Sequence, residues 1–241
     1  MKRTVFGAAG LGGFALIALL GMGQPAGAQD AKAQYPSMAP LEQYLIADRD
    51  AEIALARTAA PDSISRNAEI LVLGPGGYVS VIKGKNDFVC LVERSWMTDD
   101  DDPEFWNPKE RAPICYNPQA ARSILPLTFK KTMLVLKGLP KAKILDAFKA
   151  SGKNELPPLA PGAMSFMMSR QGYLSDAAGH AIPHLMFYLP KVAGAAWGAD
   201  LPGSPVMLAL QQVPGAAEPV TMFIIPMRKW SDGAAAMSGM H

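Results

Sequence analysis

The residues able to do chemistry gather in one stretch, Phe88 to Pro118, reading FVCLVERSWMTDDDDPEFWNPKERAPICYNP. It holds both cysteines, Cys90 and Cys115, two of the four tryptophans, Trp96 and Trp106, and the densest acid run, Asp99 to Asp102. Read as a strand, residues 88–96 place Phe88, Cys90, Val92, Arg94 and Trp96 on one face and Val89, Leu91, Glu93 and Ser95 on the other. Both faces are apolar for most of their length, which predicts a central strand covered on two sides. Glu93, Arg94 and Trp96 then fall at its end, where a long loop begins and binding residues are commonly carried. Trp96 and Trp106 could form an aromatic platform for a sugar or peptide, or pack over a disulfide.

The histidines are His180, His184 and His241. His180 and His184 have the i, i+4 spacing of a helical zinc pair, but Pro183 lies between them and the next residues alternate like a strand. On that strand His184, Met186 and Tyr188 share a face, which makes His184 and Tyr188 candidates for a ligand site. A histidine held by hydrogen bonds at the mouth of a core is the competing account of His184. The acid run, with Glu104, has oxygen ligands suited to calcium but lacks the central glycine and terminal glutamate of an EF-hand. A solvated loop explains it as well. Methionines such as Met167, Met168, Met222, Met227, Met237 and Met240 are soft donors for copper, yet they form no dense array, and core filling accounts for them. No metal is therefore assigned, and no cofactor motif is present.

Other motifs dissolve on inspection. Gly74-Pro75-Gly76-Gly77 precedes a strand and lacks a following G-K-[ST], so it reads as a hairpin turn and not a phosphate loop. Ser80-Val81-Ile82-Lys83 matches S-x-x-K, but in a strand its serine and lysine point to opposite faces. No G-x-S-x-G occurs.

The elements that must position these residues begin with residues 1–28, which read as a secretory signal peptide: Lys2 and Arg3, a glycine-interrupted apolar run, and the small-residue site Ala26-Gly27-Ala28, with the cut after Ala28. This places the mature chain in the periplasm or outside the cell. Removing Lys2 and Arg3 leaves 21 basic against 21 acidic side chains, a balance that calls for neither nucleic acid nor an anionic membrane surface. Two cysteines in an exported chain predict a Cys90–Cys115 disulfide, contributing on the order of 3 kcal/mol by loop closure. There is no C-x-x-C spacing and no basic cluster to activate a thiol.

The 213 residues that remain suit one domain. Residues 29–39 read as a flexible arm, 40–230 as a single α+β domain and 231–241 as a mobile tail. Within it, residues 40–61 carry an amphipathic helix. Residues 68–96 read as a three-stranded antiparallel meander. FKKTMLVLKG reads as a fourth strand, and LPKAKILDAFKASG as a short helix burying Ile144, Leu145 and Phe148. SFMMS and GYLSD read as a hairpin around Arg170-Gln171. HLMFYLP, PVMLALQQV and EPVTMFIIPMRKW read as further strands. The expected architecture is a mostly antiparallel sheet with an N-terminal helix and one further short helix packed on it.

FVCLVERSW, FWNP, PICYNP, PHLMFYLP and WGADLPGSP together resemble a family of secreted bacterial proteins to which no activity is attached. The resemblance covers most of the mature chain and implies one extracytoplasmic domain, with no functional residues carried over. The functional expectation is a non-enzymatic domain that binds a small molecule or protein partner near Glu93, Arg94, Trp96, Trp106, His184 and Tyr188. The alternative is a hydrolase or metal-dependent enzyme using His184 and Glu93, with His180.

Overall fold

Among the described residues, a sheet of eight strands runs in the order β2-β1-β3-β4-β5-β6-β8-β7. The strands are β1 (Glu69–Gly74), β2 (Gly77–Ile82), β3 (Val89–Glu93), β4 (Ala112–Tyr116), β5 (Met164–Met167), β6 (His184–Leu189), β7 (Met207–Leu210) and β8 (Thr221–Pro226). The computed structural model describes residues 34–151, 157–176, 178–179, 182–210 and 220–236, all belonging to one compact unit. The expected signal segment, His180 and His241 lie outside the described residues. Among those described, no helix is long and apolar enough to cross a membrane. The fold is α+β, and every strand pairing among the described residues is antiparallel except β1 with β3.

That exception corrects the expected meander. After the β1–β2 hairpin the chain turns back past the start of β1, and β3 lies parallel to β1 on its other side, with Glu69 opposite Val89. Gly84 makes this crossing possible, since a Cβ there would lie 2.5 Å from the Glu69 nitrogen. The Glu69 amide then donates to Phe88 O at 2.8 Å and starts the parallel pairing.

Helices cover both faces. The helix α1 (Arg49–Arg57) is capped by Asp48, whose carboxylate accepts from the amides of Asp50 and Ala51. A single turn, α2 (Asp62–Ser65), follows. The helices α3 (Pro118–Ser123), α4 (Leu125–Leu136) and α5 (Lys141–Ser151) come between β4 and β5. Asn117 caps α3 through its side-chain oxygen, with Pro118 in the first turn. In α5 the expected stripe holds at Ile144 and Phe148, both fully buried.

FKKTMLVLKG, expected as a strand, belongs largely to α4, so more than one further helix packs on the sheet. Its buried face follows the helical steps Leu127 and Thr128, Lys131 and Thr132, Leu134 and Val135. Three of those six are polar, which hides the stripe from an apolar count. The hairpin expected around Arg170 is likewise absent: β5 pairs with β4 and β6, while Tyr173 exchanges two 2.8 Å backbone bonds with Arg111.

Two cores result, one on each side of β3. Cys90 and Val92 face α1 with Ala56, Ala59 and Ile70. Val89 and Leu91 face the opposite core, with Ile114, Leu134 and Phe148. The disulfide joins Cys90 and Cys115, directly opposed in β3 and β4. A 3-10 turn at Ser95–Met97 ends the alternation after Arg94, so Trp96 enters the core away from the disulfide. Trp106 belongs to that same core.

Residues 34–39 pack along this body: Tyr35 donates to Asp176 Oδ2 at 2.5 Å, and the Ala39 amide donates to Tyr44 Oη. Residues 231–236 are tied by Ser231 N to Met168 O and by Arg170 to Asp232.

Arg94 and Glu52 form an ion pair at 2.9 Å with both side chains buried. Arg94 Nε also donates to Tyr44 O at 2.6 Å and Nη1 to Val92 O, while Glu52 Oε1 accepts the Leu73 amide. Removing one member leaves the other charge buried and uncompensated, a loss of about 3–5 kcal/mol. Urea unfolding of Glu52→Ala and Arg94→Ala should each show that loss. The paired replacement Glu52→Leu with Arg94→Met should recover most of it.

Candidate functional site

The pairing of β3 with β4 brings carboxyl groups to one face of the sheet. Glu93 lies opposite Ala112, and the side chains of Ala112, Ile114 and Tyr116 follow on the same face by alternation. Glu110 stands two residues before Ala112, at the mouth of this row. The neighbouring strands continue the face through Ser165, opposite Tyr116 and Met186, and through Met222, opposite Tyr188.

Above the row is a cavity of about 330 Å³. Ile114, Tyr116, Met186, Tyr188 and Ile224 line it from the sheet, and Leu127 and Thr128 of α4 close it together with Ile124 at that helix's N-cap. Glu93, Glu110, Asp99 and Asp102 also line it, and among the described residues no lysine or arginine does. Its methionines, Met97, Met167, Met186 and Met222, give walls that adjust to shape.

The carboxyls have different surroundings. Glu93 Oε1 accepts from Tyr116 Oη at 2.6 Å and Thr128 Oγ1 at 3.0 Å. Burial first and Glu93 second push the Tyr116 hydroxyl well above its ordinary value, so it stays a donor. Glu110 is only 3 % exposed, and its Oε2 has no hydrogen-bond partner. Burial, reinforced by Glu93, Asp102 and Glu104, pushes Glu110 up to about 9, with Arg111 opposing. It is therefore a neutral acid at pH 7. Asp99 is also raised, first by burial and then by Asp101 and Asp102.

The acid run is held from behind. Lys131, almost fully buried, donates to Thr98 O and Asp100 Oδ1, both at 3.3 Å, and lies over the Phe105 and Phe148 rings. Lys141 donates to Asp102 O at 3.3 Å and lies over the Phe105 ring. These lysines bind the loop while Asp99 and Asp102 remain in the cavity lining.

Of the residues singled out from sequence, Glu93 and Tyr188 line this cavity. The Tyr188 hydroxyl lies 2.8 Å from Ser165 Oγ. Arg94, Trp96, Trp106 and His184 do not line it. Trp96 is fully buried, with Nε1 donating to Thr132 Oγ1 at 3.0 Å, and Trp106 packs edge-on against Phe105. His184 shares the predicted face with Met186 and Tyr188, all three buried. Its Nδ1 lies 2.7 Å from Ile182 O, and burial lowers its basicity, which that contact only partly offsets. Among the described residues, no group of three His, Cys, Asp or Glu side chains could hold a metal ion.

Sequence reasoning missed Glu110, Tyr116, Thr128 and the lining role of Asp99 and Asp102. The available signal was the alternation Glu110, Ala112, Ile114, Tyr116, obscured by Pro113 in a central strand. Comparison with protein families, curated proteins and solved structures finds no match to this chain.

Glu110 gives the site a pH signature. Its raised value means that the folded protein binds a proton that the unfolded chain releases above about pH 4.5. Stability therefore falls as pH rises from there to about 9, by up to about 1.4 kcal/mol per unit. Glu110→Gln removes the liability, so urea unfolding should show wild type and variant converging near pH 4 and the variant more stable at pH 8. Parallel curves across that range would contradict the assignment.

Proposed function

We propose that this chain is an exported, non-enzymatic domain that binds a small molecule in the cavity between the β4–β6–β8 face and α4. The observation that carries this reading is the cavity itself: about 330 Å³, largely apolar, with the buried Glu110 side chain among its lining. That combination of apolar walls and a few placed polar groups is what small-ligand sites require. Location outside the cytoplasm is supported by the Cys90–Cys115 bond and by the signal pattern of residues 1–28. The resemblance to secreted bacterial proteins without attached activity belongs to the same reading.

The enzyme reading that relied on His184 has less support, because that ring is buried against its own strand and lies outside the cavity lining. A different observation favours an acid–base enzyme: Glu93 accepts two hydroxyl hydrogen bonds while Glu110 is held neutral, and two carboxyls in contrasting environments can divide acid and base roles. Loss of a hydrolytic turnover in Glu110→Gln, with ligand binding retained, would select it.

Binding is tested by thermal unfolding against a panel of apolar and amphipathic small molecules. A ligand at 100 times its Kd stabilises by about 2.7 kcal/mol, a rise in Tm of about 5 °C or more. Ala112→Phe, which fills the cavity from its floor, should abolish that rise while leaving the far-UV spectrum unchanged. An equal rise in wild type and variant would place binding elsewhere.

A further inference from the structure

Strand register brings two thioethers and an imidazole together on the sheet face that bears the cavity. β5 and β6 pair Met167 directly with His184, and His184 and Met186 share one face of β6. Directly opposed residues have Cβ atoms about 5 Å apart, and alternate residues of one strand lie about 7 Å apart. The three side chains are therefore neighbours, and each thioether stands on rotatable bonds that let its sulfur turn toward the ring. Met167 and Met186 line the cavity, and His184 is the next residue along the same face. The array of methionines that copper chemistry calls for is absent from the sequence, but the fold assembles two of them beside a histidine.

The ring is oriented for coordination. Its Nδ1 lies 2.7 Å from Ile182 O. A carbonyl oxygen only accepts, so Nδ1 carries the hydrogen and the neutral ring keeps its lone pair on Nε2. A backbone carbonyl behind the ring is what fixes the tautomer of a metal-ligating histidine. Among the described residues, no group is hydrogen-bonded to Nε2. Nor is it sealed in: the fully buried side-chain nitrogen without a partner is Arg57 Nε. Nε2 therefore opens on accessible space. Met186 Sδ has only a weak contact, 3.9 Å from Tyr188 Oη, whose closer neighbour is Ser165 Oγ at 2.8 Å.

We propose that His184 Nε2, Met167 Sδ and Met186 Sδ form a binding site for Cu(I). Thioethers are soft donors that select monovalent copper, and imidazole is a donor that copper also accepts. The set contains no carboxylate, so calcium and magnesium lack the oxygens they require. It contains no thiolate and only one imidazole, which leaves zinc short of the ligands of its usual sites. The site goes beyond the small-molecule reading and does not depend on it, because no part of the argument uses the acidic end of the cavity.

The test uses Ag(I), a redox-stable probe with the same ligand preference, titrated into the folded chain in chloride-free buffer. Calorimetry gives the affinity, and the 13C signals of the methionine methyl groups report which sulfurs bind. Expected is one ion per chain, with the Met167 and Met186 methyl signals moving together and unmoved by Zn(II). Met167→Leu and Met186→Leu, which nearly conserve side-chain volume, should each weaken Ag(I) binding about tenfold or more, as should His184→Gln. Cu(I) supplied against a chelating competitor should follow the same order. Urea unfolding of each variant establishes that it is folded, and the two leucine variants carry the test if His184→Gln does not fold. Wild-type affinity in both leucine variants would overturn the site, as would signals that move only at Met237 and Met240 or no binding of Ag(I) at all. Wild-type affinity in a folded His184→Gln would overturn the place of the ring in it.

Discussion

The Arg94–Glu52 ion pair is the constraint on which the arrangement depends. It joins α1 to the end of β3, and its remaining hydrogen bonds reach β1 through the Leu73 amide and the N-terminal segment through Tyr44 O. Tyr44 in turn donates to Trp106 O at 2.8 Å, which links the same network to the loop beyond β3. Burying two charges is favourable only when geometry and accessory hydrogen bonds are nearly complete. Here the demand for complete pairing defines the point at which β3 stops being strand. It also sets where the excursion from Ser95 to Arg111 departs.

That departure decides the character of the two sheet faces. On the α1 side β3 and β4 are joined by the disulfide among small side chains, Ala56, Ala59 and Ala60, which let the helix approach. On the opposite side the same two strands present Glu93 and Tyr116, with Glu110 just before β4, and α4 stands off far enough to leave a cavity. One strand pair therefore carries a tightly packed, covalently joined face and a face with room for a guest. Because the register is shared, the disulfide that secures Cys90 against Cys115 also holds Glu93 opposite Ala112.

The acidic lining is a local departure from ordinary packing. Glu110 is kept neutral by burial and by like charges nearby, and Asp99 is pushed the same way. Lys131 could have neutralised the cavity, but its ammonium is directed to Thr98 O, Asp100 and two aromatic rings. The sequence is thus consistent at the level of the core and inconsistent at one end of one cavity, where a carboxyl is buried with one oxygen unpartnered and Arg111 offsets only part of the cost. Such breaks are expected where a protein meets a ligand.

Local patterns were enough to identify β6, where the alternation of His184, Met186 and Tyr188 matches the buried face, and α5, where Ile144 and Phe148 mark the buried stripe. They also sufficed for the two-sided burial of β3, because apolar residues at successive positions leave a strand no solvent face. The pairing of Cys90 with Cys115 followed from there being two cysteines in a chain read as exported. They were insufficient for α4, whose buried face includes Thr128, Lys131 and Thr132, and for β4, whose strand character is masked by Pro113. The parallel pairing of β1 with β3 needed the close passage of Gly84 over residues 67–69. The site was the least legible part: Glu110, Tyr116 and Thr128 become neighbours only through strand register and the placement of α4. By itself the sequence determined the periodic elements, because a side chain's face follows from its own position in the repeat. Only the tertiary structure decided which carboxyls share a cavity, because that depends on contacts between segments distant in the chain, which no local repeat encodes.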